Sequence, residues 1–148
     1  MLNLVGRAID LNVESLLARV TVWAEARGDI SAVALVGSHA HGRARPDSDI
    51  DLLILSDRPE PLRTATWLGV FGEVQNALTE QWGILTAHRV RYSEYNEVEV
   101  GVAPSSWADI PVDAGTYRVV ADGIVIVHDP RGVLQRLITE VKAAESNK

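Results

Sequence analysis

The chain has 148 residues, of which 47% are hydrophobic and 23% charged, with no cysteine and a formal net charge of −6. A chain of roughly 150 residues buries about 68–70% of its unfolded surface, enough for one core. This composition excludes a disordered chain, the tail from Glu145 to Lys148 excepted. Without cysteine there are no disulfides or thiolate metal sites, and the acidic balance argues against broad attraction to nucleic acid while leaving room for a single nucleotide.

Met1 to Asp10 lacks the basic start and apolar stretch of a signal peptide. No apolar run approaches the roughly 18 residues of a membrane span. The expectation is a soluble, cytoplasmic protein with no membrane partner, read as one domain over residues 1–148. From Val13 to Arg27, the apolar residues Val13, Leu16, Leu17, Val20 and Ala24 recur at three- and four-residue steps, which predicts a helix closed by Gly28-Asp29. Ile30 to Val36 is a short β-branched run, read as a buried strand. A polar stretch from Gly37 to Ser48 separates it from a second strand, Ile50 to Leu55.

Ser56 to Arg63, with two prolines, is expected to be a loop, and Thr66 to Leu78 a helix weakened by Gly69 and Gly72. Ile84 to Tyr92 and Val98 to Val102 read as strands around a turn at Ser93 to Glu97, and Pro104 to Ala114 as irregular. Tyr117 to Val120 and Ile124 to Val127 flank Asp122-Gly123, which predicts a hairpin because that turn needs positive φ. Gly132 to Ala144 closes the chain as a helix. Strands mixed with helices make the class α+β or α/β.

The chemistry lies in VALVGSHAHGRARPDSDIDLLIL, Val33 to Leu55. Asp49 and Asp51 stand two apart at the start of a strand, so both carboxylates are expected on one face. Side by side they repel unless a cation lies between them, and hard oxygen ligands suit magnesium. The plainer reading is an Asp cap followed by a solvated Asp. Gly37-Ser38, eleven positions before Asp49 and directly after a strand, weighs against it. Glycine lets backbone approach a ligand closely, and the Ser38 hydroxyl can donate to a phosphate oxygen.

Strand, Gly-Ser, spacer and Asp-x-Asp opening a second strand resemble the signature of the DNA polymerase β-like nucleotidyltransferase superfamily. Arg43, Ala44, Arg45, Pro46, Asp47 and Ser48 resemble its usual spacer. Weaker similarity to small antibiotic-type or antitoxin-type members extends towards Asp129. The resemblance implies an α+β minimal nucleotidyltransferase fold, a short mixed sheet flanked by helices. It also implies a third carboxylate on a neighbouring strand, for which Glu97 and Glu99 are candidates. Glu99 is preferred because it interrupts the apolar run Val98, Val100, Val102, where a carboxylate needs a reason; the plainer reading sets it facing water on an edge strand.

The implied mechanism is two-metal phosphoryl transfer, with Mg2+ on Asp49, Asp51 and Glu99, and with ATP as the default donor. Gly37 and Ser38 would cradle the leaving pyrophosphate, and Arg43 or Arg45 would contact phosphate. His39 and His41 make a weak zinc pair. His88 and His128 read as packed or surface residues, and Trp23, Trp67, Trp82 and Trp107 as core or rim. Asp113 to Thr116 and Asp129-Pro130 read as turn chemistry. The expected acceptor is a hydroxyl on a small molecule such as an antibiotic. The alternatives are a protein-adenylylating antitoxin acting on a toxin partner and a catalytically inactive nucleotide-binding scaffold. The acceptor pocket would come from loops, from a second copy in a homodimer or from a helical partner protein.

Overall fold

The computed structural model describes residues 11–45, 47–95 and 97–147. The readings at Met1 to Asp10, Pro46 and Lys148 fall outside the described residues. Six strands, β1 (Ile30–Val36), β2 (Ile50–Ser56), β3 (Val74–Trp82), β4 (Leu85–Tyr92), β5 (Val98–Pro104) and β6 (Val125–His128), alternate with helices α1 (Leu11–Glu25), α2 (Gly37–His41), α3 (Ala114–Asp122) and α4 (Val133–Ser146). They form one sheet in the order β3-β4-β5-β2-β1-β6. The pair β2 and β5 is parallel and every other neighbouring pair antiparallel. This is the α+β fold with a short mixed sheet that the sequence led us to expect.

Strand alternation divides the core in two. Val33 and Leu35 of β1, with Ile50, Leu52 and Ile54 of β2, face the α1 stripe of Val13, Leu16, Leu17, Val20 and Ala24. Beside α1, Trp23 stacks on Trp67 at 5.3 Å between ring centroids, and Phe71 meets both edge-on. The opposite residues, Ala32, Ala34, Leu53 and Leu55, meet Val120 of α3 and Leu134, Leu137 and Val141 of α4. Alanines on that side of β1 leave room for the two helices to lie close to the sheet. Among the described residues no buried side-chain polar atom lacks a hydrogen bond, and no helix is long and apolar enough to cross a membrane.

Three expectations are corrected. The helix over Thr66 to Leu78 is a 3₁₀ turn at Leu68–Phe71 followed by β3. Trp67, Leu68 and Phe71 carried the helical spacing, whereas β3 is an edge strand whose order comes from pairing with β4. The β3–β4 hairpin turns through Gly83 (φ +61°) and Ile84, a signal overlooked in the sequence. The hairpin at Asp122-Gly123 is also absent: Ala114–Asp122 is helical. Asp113 caps α3 by accepting from the amides of Gly115 and Thr116, the i, i+4 residues Thr116 and Val120 face the core, and Gly123 (φ +111°) ends the helix. Finally, the tail is helical as far as Ser146.

Candidate active site

Val36, the last residue of β1, is the cross-strand partner of Asp51. The chain must leave the sheet beside that carboxylate, and it does so through Gly37 at φ +73°. A Cβ at Gly37 would lie 3.0 Å from Asp51 Cγ and closer still to Oδ2. Both the left-handed backbone and the close approach therefore require glycine here. Ser38 follows in α2, and its carbonyl accepts from the amides of Gly42 and Arg43, closing the short helix.

On its other side, Asp51 is in register with Glu99 on the parallel strand β5. Glu99 is paired in turn with Arg89 on β4. Asp51 is partly buried. Its pKa is raised from the ordinary 3.8 to about 6, chiefly by burial and further by the charges of Glu99 and then Asp49, with Arg89 opposing. Two carboxylates therefore meet at a half-buried strand start, with Arg89 acting against the shift.

The remaining acids line a different cavity. Asp49, which precedes β2 and is exposed, lines a polar surface cavity of about 330 Å3 with Asp47, Glu97, Arg91, Gln75 and Tyr95. Asp51 and Glu99 border a different, largely apolar cavity of about 230 Å3, lined also by Leu85, Trp107 and Val119. The sheet thus sets Glu99 beside Asp51 and Glu97 beside Asp49. Among the described residues no three Asp, Glu or His side chains gather into an all-protein metal cage. Mg2+ does not need one, since it is ordinarily held by one or two carboxylates together with water and substrate phosphates. The hard-oxygen pair at Asp51 and Glu99 fits that requirement.

Arg43 is exposed and donates to His41 Nδ1 at 2.6 Å, while the amide of Arg45 donates to Ser48 Oγ. His39 Nε2 lies 3.4 Å from the Ser48 carbonyl. None of these joins the carboxylate pair. His88 is fully buried. Its Nε2 donates to the Leu62 carbonyl at 2.8 Å, so the neutral ring accepts at Nδ1 from Thr79 Oγ1, and burial lowers its pKa. Trp23 and Trp67 are partly buried and pack against the core. Asp129 binds the amides of Leu134 and Gln135 at the start of α4.

Arg89 and the apolar cavity were missed in the sequence. Alternation along His88-Arg89-Val90-Arg91-Tyr92 does carry a signal for Arg89, because it sets the arginines on one face of β4. The cavity had none: Gly101, Trp107 and Val119 meet only through the tertiary fold.

No curated protein matches the chain significantly. The fold is similar to the crystal structure of an aminoglycoside 6-adenyltransferase from Bacillus subtilis, with a TM-score of 0.51 at 10% identity. That likeness covers 79% of this chain and 40% of the other, so this chain spans two-fifths of the longer protein. The family model for the nucleotidyltransferase domain matches residues 21–108, which include β1, Gly37-Ser38, both aspartates and Glu99. The chain belongs to the nucleotidyltransferase domain family.

Proposed function

We propose that the protein transfers a nucleoside monophosphate, AMP from ATP, to a hydroxyl of a small-molecule acceptor. The observation that carries this reading is the register of Asp51 with Glu99, directly beside the Gly37 chain reversal. In this reading Gly37 and Ser38 hold the pyrophosphate end of the nucleotide, with Arg43 alongside once it leaves His41. Asp49, Asp51 and Glu99 would hold the magnesium, and Glu99 or a water beside it accepts the acceptor's proton. Bound divalent metal would supply Lewis-acid polarisation and neutralise charge on the leaving group. Asp49 is exposed, and its charge already acts on the Asp51 carboxyl.

Residues 109–147 act as part of the same unit in this reading. Strand β6 pairs with β1, and α4 packs on the β1–β2 face. Calorimetry with a non-hydrolysable ATP analogue, with and without magnesium, tests the proposal on wild type and Asp51→Asn. Binding that needs magnesium and is lost in the variant is the expected result. Absence of binding for every ribonucleotide tried would refute it, and the nucleotide-binding scaffold reading with it. A protein acceptor becomes the better reading if only a polypeptide takes the label.

A further inference from the structure

Strand β3 ends the sheet on the side away from β6 and has β4 as its one neighbour among the described residues. Its residues are exposed throughout, Ala77 alone being partly buried. A sheet edge leaves a row of backbone N–H and C=O groups unpaired, and proteins ordinarily blunt it with a short strand, a proline, lysines or a bulge. The edge here is nine residues long, VQNALTEQW, without proline or lysine. Its bulge is confined to the start, between Val74 and Asn76. Leu78 and Trp82 stand 61% and 64% exposed on it. An edge of this length and apolarity is a template for another strand.

The order of residues along β3 specifies which strand fits. A two-fold axis normal to the sheet sets two copies of β3 side by side and antiparallel, and each sheet face is continued by the same face of the other copy. With the axis through Leu78, Leu78 meets its own counterpart, Asn76 meets Glu80, and Ala77 meets Thr79. Apolar lies against apolar, and each carboxylate lies against an amide that can donate to it. Moving the axis to Ala77 or Thr79 sets Leu78 against Asn76 or Glu80. Moving it to Glu80 sets two carboxylates face to face, which is repulsive.

We propose that two copies of this chain associate through antiparallel pairing of β3 about an axis at Leu78, so that the two six-stranded sheets become one. The proposal stands apart from the nucleotidyl-transfer reading, yet it also places the two carboxylate sites. Asp51, Glu99, Arg89 and Leu78 are successive cross-strand partners on β2, β5, β4 and β3, so they form one row on one face. That row continues through the axis into the same row of the second copy. At the ordinary spacing of neighbouring strands, the two Asp51 residues then lie roughly 30 Å apart on the same face of the joined sheet. Arg89 and Arg91 of both copies, exposed on β4, line the surface between them.

The chain has no cysteine, so a single introduced thiol reports the register directly. Residues facing each other across an antiparallel pair have Cα atoms about 4.5–5.5 Å apart, which is disulfide range. Leu78→Cys should therefore cross-link to a covalent dimer under mild oxidation, whereas Gln81→Cys, about 20 Å from its counterpart in this register, should not. Sedimentation velocity of wild type from about 1 to about 300 µM should show a dimer that grows with concentration. Leu78→Lys sets two like charges on the axis and should raise the dissociation constant about tenfold or more. Because Leu78 is exposed, the melting midpoint of that variant should stay within about 2 °C of wild type in dilute solution. The proposal is overturned if wild type sediments as a monomer throughout that range. It is equally overturned if Leu78→Lys folds and leaves the dimer intact, or if Gln81→Cys cross-links as readily as Leu78→Cys. Should Leu78→Lys lose its fold, the comparison of the two thiol variants decides alone.

Discussion

Replacing Asp51 by asparagine is expected to stabilise the metal-free protein at neutral pH while removing its activity. Burial, Glu99 and Asp49 together lift the Asp51 carboxyl from 3.8 to about 6. At about 1.36 kcal/mol per pH unit, that gap sets a ceiling of about 3 kcal/mol. The carboxyl keeps part of its exposure, so screening by water and salt reduces the effect to about 1–2 kcal/mol. Between pH 3.8 and about 6 the folded protein holds this proton more tightly than the unfolded chain does. Stability contributed by this group therefore falls as pH rises through that window, and above it the full penalty remains. An amide at the same position carries no such penalty.

The assay is thermal unfolding in chelator at about pH 4 and about pH 7.5. At the higher pH the variant should melt roughly 2–8 °C above wild type, and at the lower pH the two should nearly coincide. Added magnesium should then raise the wild-type midpoint and leave the variant unmoved. A variant that melts at or below wild type at neutral pH, in chelator, would refute the view that Asp51 is held at an electrostatic cost for the sake of a cation.

Gly37→Ala forces a side chain into a left-handed position and against the Asp51 carboxylate; a loss of about 1–3 kcal/mol in urea unfolding and of about a hundredfold or more in turnover is expected. Glu99→Gln should lower kcat about a hundredfold, whereas Glu97→Gln, on the polar cavity beside Asp49, should stay within about threefold in the same assay. Trp67→Ala removes the ring stacked on Trp23 and edge-on to Phe71, and denaturant titration should show a loss of about 3 kcal/mol. Arg131→Ala breaks an exposed pair with Asp57 at 3.0 Å, beyond the end of β2 remote from Asp51; stability should change by less than about 1 kcal/mol and turnover not at all.

The sequence by itself determined the elements whose apolar pattern had a clear period. The α1 stripe, the β-branched runs of β1 and β2, and α4 are each legible because burial selects one face of a helix or the whole of a central strand. It also determined the local chemistry of Gly37-Ser38 and Asp49-x-Asp51, since those residues are neighbours along the chain. Where burial did not dictate the pattern, it misled. In β3, Val74 and Leu78 are 38% and 61% exposed, so their spacing reported nothing about the core. In α3, β-branched residues and Asp-Gly imitated a hairpin until the Asp113 cap and the packing of Val120 decided for helix.

Which glutamate accompanies Asp51 was a preference in the sequence, and the register of β2 with β5, strands more than forty positions apart, sets Glu99 there. Alternation along β4 hints at the face of Arg89, but its place beside that pair and the apolar slot under Trp107 come from the tertiary structure. They are built from β4, β5, the turn at Ser105–Ala108 and α3, whose meeting depends on how the sheet is ordered, and strand order is set by long-range pairing that no local pattern encodes.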